Sequence, residues 1–203
     1  MGSKNIIAGI VLGIALAAGF YVAVGANKPA ELLAAFKLPM PTDLPEFSLL
    51  DQSGNTVDGE TFRGQWDLVF FGFTNCPDIC PTTLQLLASA RQALADSGAT
   101  RLPRIVLVSV DPERDTPALM AQYIGYFGSD HLAVTGELAE VRRLTAGLGI
   151  YFEKNPTDGE NYGVDHSAAV IVIDDEGKFS ALFSGPHLVE NYLHDLPILM
   201  DEG

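Results

Sequence analysis

The chain has two cysteines, and both lie in one short stretch, residues 68–84, which reads LVFFGFTNCPDICPTTL. Three residues separate Cys76 from Cys80, and Pro81 follows directly. The apolar run over residues 68–73 predicts a strand that is buried on both faces, and Pro81 is typical of the first position of a helix. We therefore expect both thiols on a strand-to-helix turn, where the helix N-terminus favours the thiolate form of Cys80.

Two cysteines at this spacing admit three interpretations: a structural disulfide, a redox-active dithiol, or two ligands of a soft metal. A disulfide across so short a loop removes little entropy from the unfolded chain, so the structural interpretation is the weakest. A redox pair suits an exported protein, although thioredoxin-type catalysts carry two residues between their cysteines rather than three. A metal site needs at least one more ligand, and histidine is the residue to look for.

Among the four histidines, His166 is the best candidate for a third ligand. It ends a polar loop and precedes the apolar run 168–173, which predicts a strand, and in a thioredoxin-like sheet this position lies beside the cysteine turn. His131, His187 and His194 lie at polar or helical positions, and we interpret them as ordinary solvated side chains. Two thiolates with one imidazole favour Cu(I), Cu(II) or Zn(II) over hard cations.

The remaining apolar segments predict an α/β domain. An N-terminal β-hairpin is expected near residues 47–57, with helices at 81–96, 117–127, 137–148 and 188–200, and strands at 105–110, 132–134, 150–153, 168–173 and 179–183. This order indicates a thioredoxin-like mixed sheet with helices on both faces, in which the hairpin formed by the last two strands ends the sheet.

The N-terminal segment differs in composition from the rest. Residues 6–25 form an uncharged apolar run of membrane-spanning length, because about 20 helical residues cross a hydrocarbon core of about 30 Å. We interpret residues 1–26 as a single transmembrane anchor, with cleavage after residue 26 as the alternative. Residues 27–44 contain prolines and predict a tether with a short helix at 31–36, so the folded domain is expected over residues 45–203.

Composition narrows the range of partners. The formal net charge is −14 over 203 residues, which argues against nucleic acid, because phosphates repel an acidic surface that lacks a basic stripe. The predicted anchor implies that the domain faces the extracytoplasmic side of a membrane, most simply in a bacterial periplasm.

Three motifs follow one another along the chain. Residues 72–81 read GFTNCPDICP, residues 109–117 read SVDPERDTP, and residues 164–167 read VDHS. Behind an apolar N-terminal segment, this combination resembles the Sco/SenC family of copper proteins over roughly residues 45–200. Asn75 stands where many members carry histidine, which leaves the two cysteines and His166 untouched.

The resemblance implies a thioredoxin-like fold and a membrane-tethered copper metallochaperone that serves the binuclear copper site of cytochrome c oxidase subunit II. It further implies that Cys76, Cys80 and His166 bind Cu(I), Cu(II) or both, supplied by another copper donor. The alternative is a thiol:disulfide oxidoreductase, whose redox pair Cys76 and Cys80 would reduce the copper-site cysteines of the apo-subunit. The chain is an enzyme only under that alternative.

Acidic residues flank these motifs. Asp111 ends a predicted strand, where ligands gather in α/β folds, and it either touches the site or is an ordinary turn residue. Asp115 and Thr116 are typical caps for the helix that follows them. Asp165 would orient the imidazole of His166 as a hydrogen-bond acceptor, although adjacent side chains on an extended segment usually point apart.

Overall fold

A computed structural model describes residues 31–155 and 162–201, together with the isolated residues 2 and 13. The chain divides into two units, Met1–Glu31 and Leu32–Gly203. Within the described residues, none of the helices combines the length and the hydropathy that a bilayer crossing requires. The predicted anchor, residues 1–26, lies outside the described residues apart from residues 2 and 13.

The second unit is built on an eight-stranded mixed sheet, as the sequence predicts. Its strands are β1 (Ala35–Asp43), β2 (Leu49–Asp51), β3 (Thr56–Val57), β4 (Asp67–Gly72), β5 (Arg104–Ser109), β6 (Leu132–Thr135), β9 (Val170–Ile173) and β10 (Lys178–Phe183), and a separate two-stranded sheet contains β7 (Phe152–Lys154) and β8 (Val164–His166). The spatial order of the large sheet is β1-β10-β9-β4-β5-β6-β2-β3. Strands β4, β5 and β6 pair in parallel, whereas the other neighbours are antiparallel.

Helices connect and cover these strands. They are α1 (Ile79–Asp96), α2 (Pro117–Gly125), α3 (Leu138–Gly147) and α4 (Val189–Asp201). Every residue of the central strand β4 is buried. Because successive side chains of a strand point to opposite faces, both faces of the sheet are covered at its centre. The predicted N-terminal hairpin is also confirmed, since Leu49 of β2 lies opposite Val57 of β3.

The start of the folded unit corrects the prediction of a tether that runs to residue 44. Strand β1 pairs antiparallel with β10, with Ala35 opposite Phe183, so the folded unit begins at Leu32 rather than at residue 45. The hairpin of β9 and β10 therefore does not end the sheet. The register of β1 shifts between Lys37 and Thr42, where two prolines lack the N–H of a regular ladder, which is tolerated because β1 is an edge strand.

Residues 31–36 do not form the predicted helix, because Ala35 and Phe36 pair with β10 and a buried carboxylate binds the segment that leads into β1. Asp195 of α4 is fully buried and accepts hydrogen bonds of 2.8 Å from the backbone N–H groups of Leu33, Ala34 and Ala35. The carboxylate thereby anchors the entry to β1. Burial alone raises the pKa of Asp195, but the three N–H groups and His194 together lower it below its ordinary value.

We predict that Asp195→Ala releases the entry to β1 and lowers the free energy of unfolding by about 2 kcal/mol, since three donors lose a charged acceptor. Because the folded-state pKa is lowered, the contribution of Asp195 is present above the unfolded-state pKa and is lost as the pH falls through the folded-state pKa. Denaturant unfolding between pH 2 and pH 7 checks both points. Asp201→Ala, at an exposed position on the same helix, is the matched control, and equal stability of the two variants would contradict the prediction.

Candidate metal centre

The cysteine turn joins β4 to α1, as the sequence predicts. Cys76 lies in the turn and is 8% exposed, whereas Cys80 is fully enclosed. The helix begins at Ile79, so Pro81 is its third residue rather than its first, and Cys80 lies inside the first turn of the helix. Proline is tolerated there because the first N–H groups of a helix have no partner within it.

Close packing positions the sulfur of Cys80. A Cβ atom placed on Gly72, the last residue of β4, would lie 3.0 Å from Cys80 Sγ and 2.9 Å from Phe70 Cε1. Glycine is therefore needed for the helix to approach the strand this closely. The backbone N–H of Cys80 lies 3.4 Å from Cys76 Sγ, which orients the two thiols toward each other.

His166 comes from the other side of the site. It is the last residue of β8, where it pairs with Phe152 of β7, so it belongs to the small sheet rather than to the start of β9. Its Nδ1 lies 3.0 Å from the carbonyl oxygen of Ser167, and its ring packs edge-on against Phe70 and Phe73. A hydrogen bond from Nδ1–H to this carbonyl would leave Nε2 as the atom with a free lone pair.

The three predicted ligands converge. Ligand atoms of Cys76, Cys80 and His166 all lie within 4.8 Å of one another, and Cys80 Sγ is 3.4 Å from His166 Nε2. These residues come from a turn, a helix and a separate strand, and the fold brings Cys80 and His166 together across 86 residues of sequence. Two sulfurs and one imidazole nitrogen are the donors that soft transition metals prefer.

The electrostatics of the site differ from the prediction for Cys80. Burial raises the pKa of the Cys80 thiol, and the neighbouring Cys76 raises it further, whereas a backbone hydrogen bond from Phe73 only partly opposes this. Enclosure therefore outweighs the helix N-terminus, and the expected thiolate is not favoured without a cation. Burial also lowers the pKa of His166, which keeps the imidazole neutral and able to bind a metal.

Comparison with known proteins places this chain in one family. A sequence model of SCO1/SenC matches residues 40–201. The chain belongs to the SCO1/SenC family. The protein SCO2 homolog, mitochondrial, of Bos taurus is 40% identical over 143 residues, or 68% of this chain and about half, 53%, of that protein.

Solved Sco structures have the same fold. Arabidopsis thaliana ScoI with copper bound gives a TM-score of 0.75 at 28% identity, covering 80% of this chain and all of that one (100%). Bradyrhizobium japonicum ScoI with copper bound gives a TM-score of 0.65 at 33% identity, covering 77% of this chain and 99% of that one. The thioredoxin-like fold expected from the sequence is thereby confirmed.

Asp115 is the residue of this Sco site whose role the sequence did not predict. It does not cap α2, since Thr116 does so by accepting from the N–H of Leu119. Instead its buried carboxylate accepts from the hydroxyl of Thr74 at 2.5 Å, from the Thr74 N–H at 3.2 Å, and from the Ser109 hydroxyl at 2.6 Å. Asp115 therefore fastens the cysteine turn to the end of β5. Asp115 lies in the SVDPERDTP motif that begins at the end of β5. This position was the signal in the sequence that could have indicated its role.

The other flanking acids lie outside the cluster of ligand atoms. Asp111 is buried and accepts from the hydroxyl of Tyr162 at 2.6 Å, so it is more than a turn residue. Asp165 is exposed, and the backbone of Ser167 rather than this carboxylate lies against Nδ1 of His166, as expected for adjacent side chains on an extended segment.

The three remaining histidines are away from the site, but they are not all solvated as expected. His131 is buried, and burial lowers its pKa. His187 lies 2.7 Å from the carbonyl oxygen of Ala168 and 2.8 Å from the hydroxyl of Tyr192. His194 lies beside Asp195. Each therefore has a structural contact that a single sequence does not reveal.

We predict that Asp115→Ala loosens the cysteine turn although it removes no ligand atom. Thr74 and Ser109 lose their shared acceptor, so the rate at which Cys76 and Cys80 react with a thiol reagent should rise at least about tenfold, the factor that corresponds to about 1.4 kcal/mol of local stability. Stopped-flow thiol labelling of the reduced chain checks this. Asp96→Ala, at an exposed position on α1, is the control, and equal labelling rates would contradict the prediction.

Proposed function

We propose that this chain is a membrane-anchored copper chaperone that binds one copper ion through Cys76, Cys80 and His166. It delivers the ion to the binuclear copper site of cytochrome c oxidase subunit II, on the extracytoplasmic side of the membrane. The observation that carries the proposal is the convergence of two thiol sulfurs and one imidazole nitrogen within 4.8 Å. Family membership and the copper-bound Sco structures support copper as the metal.

The donor set suits a protein that handles both oxidation states of copper. Thiolates prefer Cu(I), and an imidazole nitrogen suits Cu(II) as well. Because burial raises the pKa of Cys80, the thiol releases its proton when the cation binds, so metal uptake is coupled to proton release. The bound copper ion then neutralises the negative charge of the Cys80 thiolate. Without a cation, this enclosed sulfur stays protonated.

The unequal exposure of the ligands indicates how copper leaves the site. Cys80 is fully enclosed by the core, whereas Cys76 reaches the surface and His166 is partly exposed. Incoming ligands of an acceptor therefore reach the copper from the side of Cys76 and His166. The bond to Cys80 is the last to break, which keeps copper bound until the acceptor has replaced the other ligands.

The alternative function is reduction of the acceptor's copper-site cysteines by the Cys76 and Cys80 pair. One observation favours it: the two thiols are free and close enough to each other to be joined after a small movement. The enclosure of Cys80 weighs against it, because disulfide exchange needs an accessible thiolate. His166 separates the two functions, since metal binding requires the imidazole and dithiol exchange does not.

The proposal predicts that the reduced full-length chain, in detergent, binds one copper ion tightly and shows a thiolate-to-Cu(II) charge-transfer band. In His166→Ala the band should be lost and the Cu(II) affinity should fall by more than about 100-fold, beyond the roughly 10–100-fold typical of losing an outer-shell partner. Metal analysis, absorption spectra and competition with a chelator measure these effects. His194→Gln, which changes a histidine outside the site, should match the wild type.

Copper binding and maturation of the oxidase, measured for the same variants, decide between the two functions. If the wild type holds no tight copper, or if His166→Ala matures the oxidase as well as the wild type does, the chaperone function is wrong. Reduction of a disulfide in a subunit II copper-site peptide would then identify the oxidoreductase.

A second prediction concerns the redox state of the pair. Oxidation of Cys76 and Cys80 to a disulfide should abolish copper binding, because disulfide sulfurs are not thiolate ligands. Copper should return in one-to-one ratio after reduction. Stoichiometric uptake of copper by the fully oxidised chain, verified by the absence of reactive thiols, would contradict the proposed ligand set.

A further inference from the structure

The turn that contains Asp111, Glu113 and Arg114 supplies none of the three clustered ligands, yet the side chains of Asp111 and Arg114 both contact one residue of the hairpin that carries His166. That residue is Tyr162, two positions before β8. Its hydroxyl donates to Asp111 Oδ1 at 2.6 Å. Its carbonyl oxygen accepts from the guanidinium of Arg114 at 3.1 Å, which also pairs with Asp111.

The ring of Tyr162 lies between two cations. Arg114 Cζ is 3.6 Å and Lys154 Nζ is 3.8 Å from the ring centroid. Two like charges this close to one centroid must occupy opposite faces of the ring, because on one face they would overlap and repel each other. Each cation is also paired with a carboxylate of the turn, Arg114 with Asp111 and Lys154 with Glu113 at 2.8 Å.

These contacts fasten both strands of the small sheet to the end of β5. Lys154 is the last residue of β7 and pairs with Val164 of β8, so the turn binds β7 through Lys154 and the approach to β8 through Tyr162. His166 lies two residues beyond Val164 and pairs with Phe152. Arg114 also lies 5.9 Å from the ring of Phe73, whose edge contact with His166 helps to set the imidazole position.

We propose that Tyr162 is a positioning residue for His166, which it holds against the cysteine pair by docking the β7–β8 hairpin onto the turn of residues 111–114. This inference rests on the proposed function, because it concerns the third ligand of that site. Tyr162 acts through His166 and touches no ligand atom itself. Its effect therefore depends on how much a bound ion needs the imidazole.

The two oxidation states of copper make that dependence measurable. Two thiolates alone satisfy much of the preference of Cu(I), whereas Cu(II) gains more from an imidazole nitrogen. Loss of the Tyr162 contacts should therefore weaken Cu(II) binding far more than Cu(I) binding. A general loss of stability would weaken both alike.

The test compares Tyr162→Leu and Tyr162→Phe with the wild type, in the full-length chain. Tyr162→Leu, which removes the ring and the hydroxyl, should reduce the Cu(II) affinity by about 10–100-fold, the range for residues that orient a ligand, and shift the charge-transfer band. Its Cu(I) affinity should change far less than its Cu(II) affinity. Tyr162→Phe keeps the ring between the cations and should give a smaller loss. The control is Tyr151→Leu, an exposed tyrosine beside β7.

A double variant isolates the role of His166. If Tyr162 acts through the imidazole, Tyr162→Leu should have no further effect on Cu(II) affinity in a His166→Ala chain, because effects that share one intermediary are not additive. Three results would each overturn the inference. They are additive losses in the double variant, equal losses of Cu(I) and Cu(II) affinity, and a Tyr162→Leu chain with wild-type Cu(II) affinity and spectrum. In those cases the proposed function still stands if His166→Ala alone loses copper. A wild type without His166-dependent copper overturns both.

Discussion

The geometry of the site depends on the hydrogen bonds that the carboxylate of Asp115 accepts. A charge inside the core is tolerated only when its oxygens are hydrogen-bonded, and Asp115 satisfies this by accepting from Thr74 and Ser109. Burial raises the pKa of Asp115 above its ordinary value, and the hydrogen bonds from Ser109 and Thr74 oppose that rise. Thr74 lies two residues before Cys76. The hydrogen bonds from Thr74 to the buried carboxyl group of Asp115 therefore also determine where the cysteine turn lies.

The same short turn supports the other half of the site. Parallel pairing places the ends of β4 and β5 side by side, with Gly72 opposite Ser109, and functional residues in α/β folds gather at this edge. The turn after β5 then holds the cysteines through Asp115 and contacts the histidine hairpin through Arg114. Residues 111–115 are therefore a common support for ligands that approach from opposite sides.

The sequence predicted most of the sheet because its central strands are buried on both faces and read as unbroken apolar runs. The three candidate ligands, selected from two cysteines and four histidines, also lie together in the structure. The predictions that were wrong concerned residues whose structure depends on contacts with distant parts of the sequence. Residues 31–36 have helical composition, but Ala35 and Phe36 pair with the distant strand β10, and Asp195 binds the backbone of the segment before them. Likewise, the state of Cys80 is decided by enclosure rather than by the adjacent helix end.

The ligands differ in how firmly the fold holds them, and this difference is built into the topology. Cys80 is enclosed between α1 and the central strand β4, where any displacement would disturb close packing around Gly72. His166 lies instead on a three-residue strand of a separate two-stranded sheet, and such a pair has little stability of its own. The histidine can therefore move without breaking a ladder of the main sheet. The candidate site therefore has one side fixed by the core and the other fixed only by contacts with a surface turn, so its two sides can respond independently to a bound soft ion.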